Sequence, residues 1–268
     1  MKPLDDLSAE DFEDLRIKLD QIDVSIPPRT QRRTSRHREA WVARHFLETI
    51  ADTDLLEYPI HIKHQDRPDF LLSSQDSTTG VEITIAEHVN HARAEALSER
   101  MDKNNDGRLS DCIYVPVYHP DERKLSYQEI LKSVAGEMPY PAMGRELEDN
   151  WIVAMMNSVK KKDRKFESSG FKKHDRNWLL IYDNWSPFPS GLGDHDFEGL
   201  AKELHGSKLQ NTFDKIFIFQ NSGRQNSYKL LDFSPCSTEY VEYPIYDFLL
   251  KDTVITEEKI EGLGGQTI

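Results

Sequence analysis

The sequence predicts a mixed α/β fold, a central β-sheet flanked by helices, and three observations lead there. Three strand-sized runs, Tyr58 to His64, Asp69 to Leu72 and Val81 to Ala86, follow one another with only turn-forming residues between them. Helical apolar patterns stand on either side of this meander, before it at Trp41, Val42, His45, Phe46 and Ile50 and after it at Trp151, Ile152, Ala154, Met155 and Val159. Two further runs, Trp178 to Tyr182 and Lys215 to Gln220, are apolar enough to read as buried strands. Interleaving of this kind favours a sheet covered by helices over an all-α or all-β chain.

Taken in order, residues 1–34 form an N-terminal addition. Asp5, Asp6, Glu10, Asp11, Glu13 and Asp14 alternate there with Leu4, Leu7, Phe12 and Leu15, which predicts one amphipathic helix. Ile26-Pro27-Pro28 breaks it, and Arg29, Arg32, Arg33, Arg36 and Arg38 follow before the second helix, for which Thr34 or Ser35 is a suitable cap. These arginines suit either a solvated helix start or a phosphate-contacting surface. Residues 35–250 are expected to form the α/β domain, with Ile113 to Tyr118 as a strand whose Pro116 favours an edge or bulge and Leu125 to Val134 as a helix. A tail covers 251–268. The basic run Lys160-Lys161-Lys162-Asp163-Arg164-Lys165 closes the helix that starts near Trp151, as a solvated face or a nucleic-acid contact.

Bulk properties narrow the function classes. The chain has 268 residues and a net charge of −13, which argues against a protein that coats nucleic acid with its whole surface but leaves room for a local basic patch. Two cysteines, Cys112 and Cys236, supply neither a disulfide framework nor a four-ligand zinc site, so a reducing compartment is expected. No apolar run reaches about 18 residues and the N-terminus lacks an apolar leader, so the expectation is a cytoplasmic protein without a membrane span.

Chemistry concentrates in Arg67-Pro68-Asp69-Phe70-Leu71-Leu72 and Gly80-Val81-Glu82-Ile83-Thr84-Ile85. A hairpin over these residues brings Asp69 beside Glu82, and two converging carboxylates offer hard oxygen donors for Mg²⁺ or Mn²⁺. Side chains at 82 and 84 share a face. The bland alternatives are a turn acid after proline for Asp69, an exposed-face charge for Glu82 and a solvated first-turn acid for Glu39.

The segment from Glu39 to Thr84 resembles the core of the PD-(D/E)XK nucleases: a helix carrying an acid, a hairpin with Pro68-Asp69, and Glu82-Ile83-Thr84 where that family has Glu-x-Lys. The resemblance extends over residues 35 to 220 and implies a restriction-endonuclease-like core. It implies metal-dependent phosphodiester hydrolysis of DNA or RNA, with Asp69 and Glu82 on Mg²⁺ or Mn²⁺ and Glu39 assisting, Glu48 being the fallback. Arg32, Arg33, Arg36, Lys160 and Lys161 would then contact nucleic acid, and a homodimer is consistent with it. Thr84 departs from the pattern, since a neutral hydroxyl cannot supply the positive charge of the family lysine. Lys63 on the preceding strand, or Lys160 or Lys161 on the later helix, is the expected replacement. If none serves, the implied alternative is a non-catalytic domain of the same fold that binds nucleic acid or a protein.

Two other motifs compete. Asp102-Lys-Asn104-Asn-Asp106-Gly107-Arg-Leu109 follows a calcium-loop pattern through its first eight positions, but Ile113 replaces the glutamate needed at the twelfth, so a polar turn is expected. Glu87-His88-Val-Asn-His91 lacks a metalloprotease arrangement, leaving His88 and His91 as surface histidines or as proton carriers beside Glu82.

Overall fold

Alternate residues of consecutive strands divide between two cores, and that division organises the molecule. The structure is a computed structural model; it describes residues 4–27, 33–104, 119–134, 145–166, 171–185, 192–207, 212–221 and 228–243. The strands are β1 (Asp6–Ala9), β2 (Ile60–His64), β3 (Phe70–Ser73), β4 (Thr78–Ala86), β5 (Arg176–Asp183), β6 (Lys215–Asn221), β7 (Tyr228–Phe233) and β8 (Tyr240–Tyr243). They form one mixed eight-stranded sheet in sequence order. Only the β4–β5 and β5–β6 pairs are parallel, and each of these needs a helical crossover.

Helices α1 (Phe12–Asp20), α2 (Ser35–Ile50), α3 (Val89–Asn104), α4 (Tyr127–Val134), α5 (Glu146–Phe166) and α6 (Asp194–Gly206) complete the described elements. Ile60, Ile62, Phe70, Leu72, Val81, Ile83, Trp178, Leu180, Phe217 and Phe219 point to one face, where Leu15 and Leu19 of α1 and Val42, Phe46, Leu47 and Ile50 of α2 cover them. Leu179, Ile181, Ile216, Ile218, Leu231 and Phe233 point to the other, against Trp151, Met155 and Val159 of α5 and Phe197, Leu200 and Leu204 of α6. Each buried aliphatic or aromatic side chain contributes roughly 1.5–3 kcal/mol by leaving water, so both faces are firmly held.

Several sequence expectations change in detail. The predicted N-terminal helix is shorter than expected. Asp6–Ala9 instead forms an edge strand on β2, with Asp6 opposite Lys63, and α1 starts only after Asp11, whose side chain caps it by accepting from the Asp14 N–H at 2.8 Å. The physical reason is the free edge of β2, whose unpaired backbone groups give Asp6–Ala9 partners that a lone first helical turn lacks. Leu4, Ala9, Leu15 and Leu19 lie in the same core as α2, so this addition is packed into the sheet domain. Thr34 is the cap of α2, its N–H meeting His37 Nδ1 at 3.2 Å. The expected strand Ile113 to Tyr118 and the tail 251–268 fall outside the described residues.

Candidate metal and phosphate site

Glu82 points to the α5 face of the sheet because its neighbours Val81 and Ile83 are committed to the α2 face. Phe70 stands opposite Val81, and Asp69 therefore lies opposite Glu82, one residue past the last β3–β4 pair. Pro68 and Gly80 hold that geometry: a Cβ on Gly80 would come within 2.9 Å of both Pro68 and His174, so only glycine lets the turn close on β4. Asp69 Oδ2 accepts the Ile83 N–H at 2.6 Å, taking the place of a strand partner beyond the end of the ladder.

Lysine arrives from α5. Trp151 Nε1 donates to Asp183 Oδ2 at 2.7 Å, fastening the helix at the C-terminal end of β5. Eleven residues of helix, about 16 Å at 1.5 Å per residue, then carry the chain back along the sheet toward Leu179, the β5 partner of Glu82. Lys162 reaches down at that point: its Nζ lies 2.5 Å from Glu82 Oε1 and 4.0 Å from Asp69 Oδ2. The three side chains are 11 % (Lys162), 10 % (Glu82) and 16 % (Asp69) exposed, so water screens their charges little. Glu82 Oε2 is enclosed and accepts no hydrogen bond.

Electrostatics at this cluster are unbalanced. Burial, then the charge of Glu82, push the Asp69 carboxyl up to about 7, against the pull of Lys162 and the Ile83 N–H, and Glu39 adds to the rise. One ammonium thus faces two buried acids with a third acid nearby. Two carboxylates, one of them with an unpaired buried oxygen, are donors of the type a hard divalent cation takes, yet among the described residues no three acids, histidines or cysteines stand close enough together to form a ligand cluster on their own.

The other expected residues fall into place around this core. Thr84 is half-buried on the same face as Glu82, and the ammonium that reaches Glu82 comes from Lys162. Lys63 lies on the same face but is exposed, opposite Leu71 and one strand beyond Asp69. Lys160 and Lys161, the expected replacements on this helix, are exposed, and it is their neighbour Lys162 that reaches Glu82. Helical spacing explains the outcome, for Lys162 continues the inward stripe of Met155, Val159 and Phe166 at steps of seven, three and four residues, whereas 160 and 161 turn away. That stripe was visible in the sequence.

Glu39 on α2 acts on Asp69 and on His64 through its charge. Glu48 is instead engaged within its own helix, with His45 Nδ1 at 3.3 Å and Arg44 at 3.6 Å. Arg36 is ion-paired to Asp5, and Arg38 meets Glu87 at 3.4 Å, so these two arginines already have acidic partners. Arg33 is half-buried just before α2, and Arg32 lies outside the described residues. His88 and His91 are buried, not surface groups; His88 Nδ1 accepts the Asn90 N–H at 3.2 Å and Nε2 faces the Glu122 carbonyl at 3.3 Å, while burial lowers its pKa. A ring engaged at both nitrogens and shifted down by burial fixes the start of α3.

No family model, curated protein or solved structure matches this chain. Among the described residues, no helix is long and apolar enough to cross a membrane.

Proposed function

We propose that the chain is a metal-dependent phosphodiesterase acting on DNA or RNA, built on a PD-(D/E)XK-like core in which the lysine has moved from position 84 to Lys162. The observation that carries this reading is the convergence of Asp69, Glu82 and Lys162 on one sheet face from three separate elements. Support also comes from the order of elements, since α2, the β2–β3–β4 meander, α5 and β5 follow one another as a restriction-endonuclease-like core requires.

Asp69 and Glu82 are the residues that would hold Mg²⁺ or Mn²⁺, which when bound supplies Lewis-acid polarisation of a phosphate oxygen and an acidified water. Lys162 holds a positive charge in a nearly dry pocket, where it stabilises negative charge growing on a phosphate far more than it would in water. Glu39 raises the Asp69 carboxyl through its charge and adds negative potential that favours cation entry. Lys63, on the Glu82 face, and Lys160 and Lys161, on the helix that carries Lys162, are exposed and suit backbone phosphates.

Mn²⁺ titration calorimetry on wild type, Asp69→Ala and Glu82→Ala, with cleavage of labelled duplex and single-stranded DNA and RNA, tests the proposal. Saturable binding in the wild type, lost in both variants together with cleavage, is the expected result. A second reading, a non-catalytic domain of the same fold, draws on the ion triad that Lys162 already closes. It requires nucleic-acid or protein binding with no cleavage under any divalent cation.

A further inference from the structure

We propose that Lys162 is the resident counter-ion of the Asp69–Glu82 pair, and that a divalent cation gains the site only by displacing its ammonium group. The inference rests on the metal-site reading above and assigns Lys162 a role before any substrate arrives. Lys162 Nζ makes its short contact with Glu82 Oε1 and also lies within ion-pair range of Asp69 Oδ2, so it occupies the space that both carboxylates face. Glu82 Oε2 is enclosed in the protein, and the oxygen with an ionic partner is the one the lysine holds. A cation shared by both carboxylates would sit against Nζ, and like charges that close repel strongly where water is scarce.

The lysine is built to yield. Its ammonium is a compact charge on a flexible four-carbon stem, anchored near the end of α5 where the helix packs through Val159 and Phe166. Swinging out, Nζ stays within reach of the same pocket, and entry of the cation therefore coincides with presentation of the ammonium to an incoming phosphate. While no cation is bound, the same group offsets the repulsion between two buried acids. Lys162 thus stabilises the empty fold and weakens cation binding, two effects of opposite sign that one substitution separates.

The test is Mn²⁺ affinity by calorimetry in wild type, Lys162→Met and Lys161→Met, with thermal melting of each in EDTA and in saturating Mn²⁺. Lys161 is exposed on the same helix and controls for general charge. Lys162→Met is expected to bind Mn²⁺ at least about tenfold more tightly than wild type, to melt lower in EDTA, and to gain more from Mn²⁺ on melting, with Lys161→Met close to wild type. Lys162→Gln replaces the methionine variant if that protein does not fold. Mn²⁺ binding by the wild type with equal or weaker binding by the Lys162 variants overturns the counter-ion role and leaves the metal site standing. Equal tightening in Lys161→Met also overturns it, as a general charge effect. Absence of Mn²⁺ binding in wild type and variants alike overturns both this inference and the function proposed above.

Discussion

Two lysine–carboxylate contacts of the same length lie on opposite faces of one sheet, and they are not equivalent. On the α2 face Lys215 Nζ meets Asp232 Oδ2 at 2.5 Å, with the Tyr243 hydroxyl donating to the same oxygen at 3.4 Å. On the α5 face Lys162 meets Glu82 at the same distance but must also serve Asp69. The first pair joins adjacent strands 17 residues apart, with Asp54 acting on Asp232 only through its charge. The second joins elements 80 residues apart and sets one ammonium against two carboxyl groups. An ion pair between neighbouring strands helps hold them together, whereas two carboxylates that share one ammonium out of water are a standing disadvantage to the fold.

The largest expected break in this comparison is catalytic. Lys162→Met is expected to lower nucleic-acid cleavage about 10²–10³-fold, the scale of losing one preorganised stabilising group. Lys215→Met is expected to leave cleavage unchanged while lowering stability by about 1–3 kcal/mol, less than a fully buried pair because Lys215 is a third exposed. Initial-rate assays and urea melts on the two variants check this; equal loss of cleavage in both would erase the distinction between the faces.

Stability against pH gives the next effect. Asp69 titrates near 7 in the fold and near 3.8 in the unfolded chain, so between these values the native state holds a proton that the unfolded state has released. The group's contribution to stability is full below about pH 4 and is lost as pH rises to about 7. Asp69→Asn keeps an oxygen for the Ile83 N–H and removes the titration. The variant is expected to match wild type near pH 4 and to exceed it by about 2–3 kcal/mol at pH 8 in metal-free buffer. Melting temperatures across that range decide it, and a constant difference would mean that Asp69 is not strained by burial and its neighbours.

Smallest is the recovery expected on putting a lysine back at position 84. In the Lys162→Met background, Thr84→Lys restores one ammonium to the Glu82 face and is expected to regain about tenfold in cleavage, roughly 1.4 kcal/mol of transition-state stabilisation. Single-turnover rates of the double variant against Lys162→Met measure it. No gain would show that the site accepts its charge only from the helix side.

Much of the fold was legible. The meander, α2 and the buried strands β5 and β6 follow from apolar periodicity and turn residues, because their side chains are sorted by burial and burial imposes the period. β1, β7 and β8 were not: β1 and β8 are short edge strands whose polar residues, such as Asp6 and Glu242, carry little apolar signal, and β7 is an inner strand whose apolar run is interrupted by Lys229 and Asp232. α6 lies outside the expected elements although Phe197, Leu200, Ala201 and Leu204 repeat along it at helical spacing.

By itself the sequence determined that Asp69 and Glu82 lie on consecutive strands of one meander; the register that sets Phe70 opposite Val81 makes them neighbours. It also determined which stripe of α5 turns inward. The tertiary structure alone decided that this stripe ends over Glu82. That placement depends on where Trp151 fastens to Asp183 and on the parallel register of β4 with β5, contacts between residues far apart in the chain that no local pattern encodes.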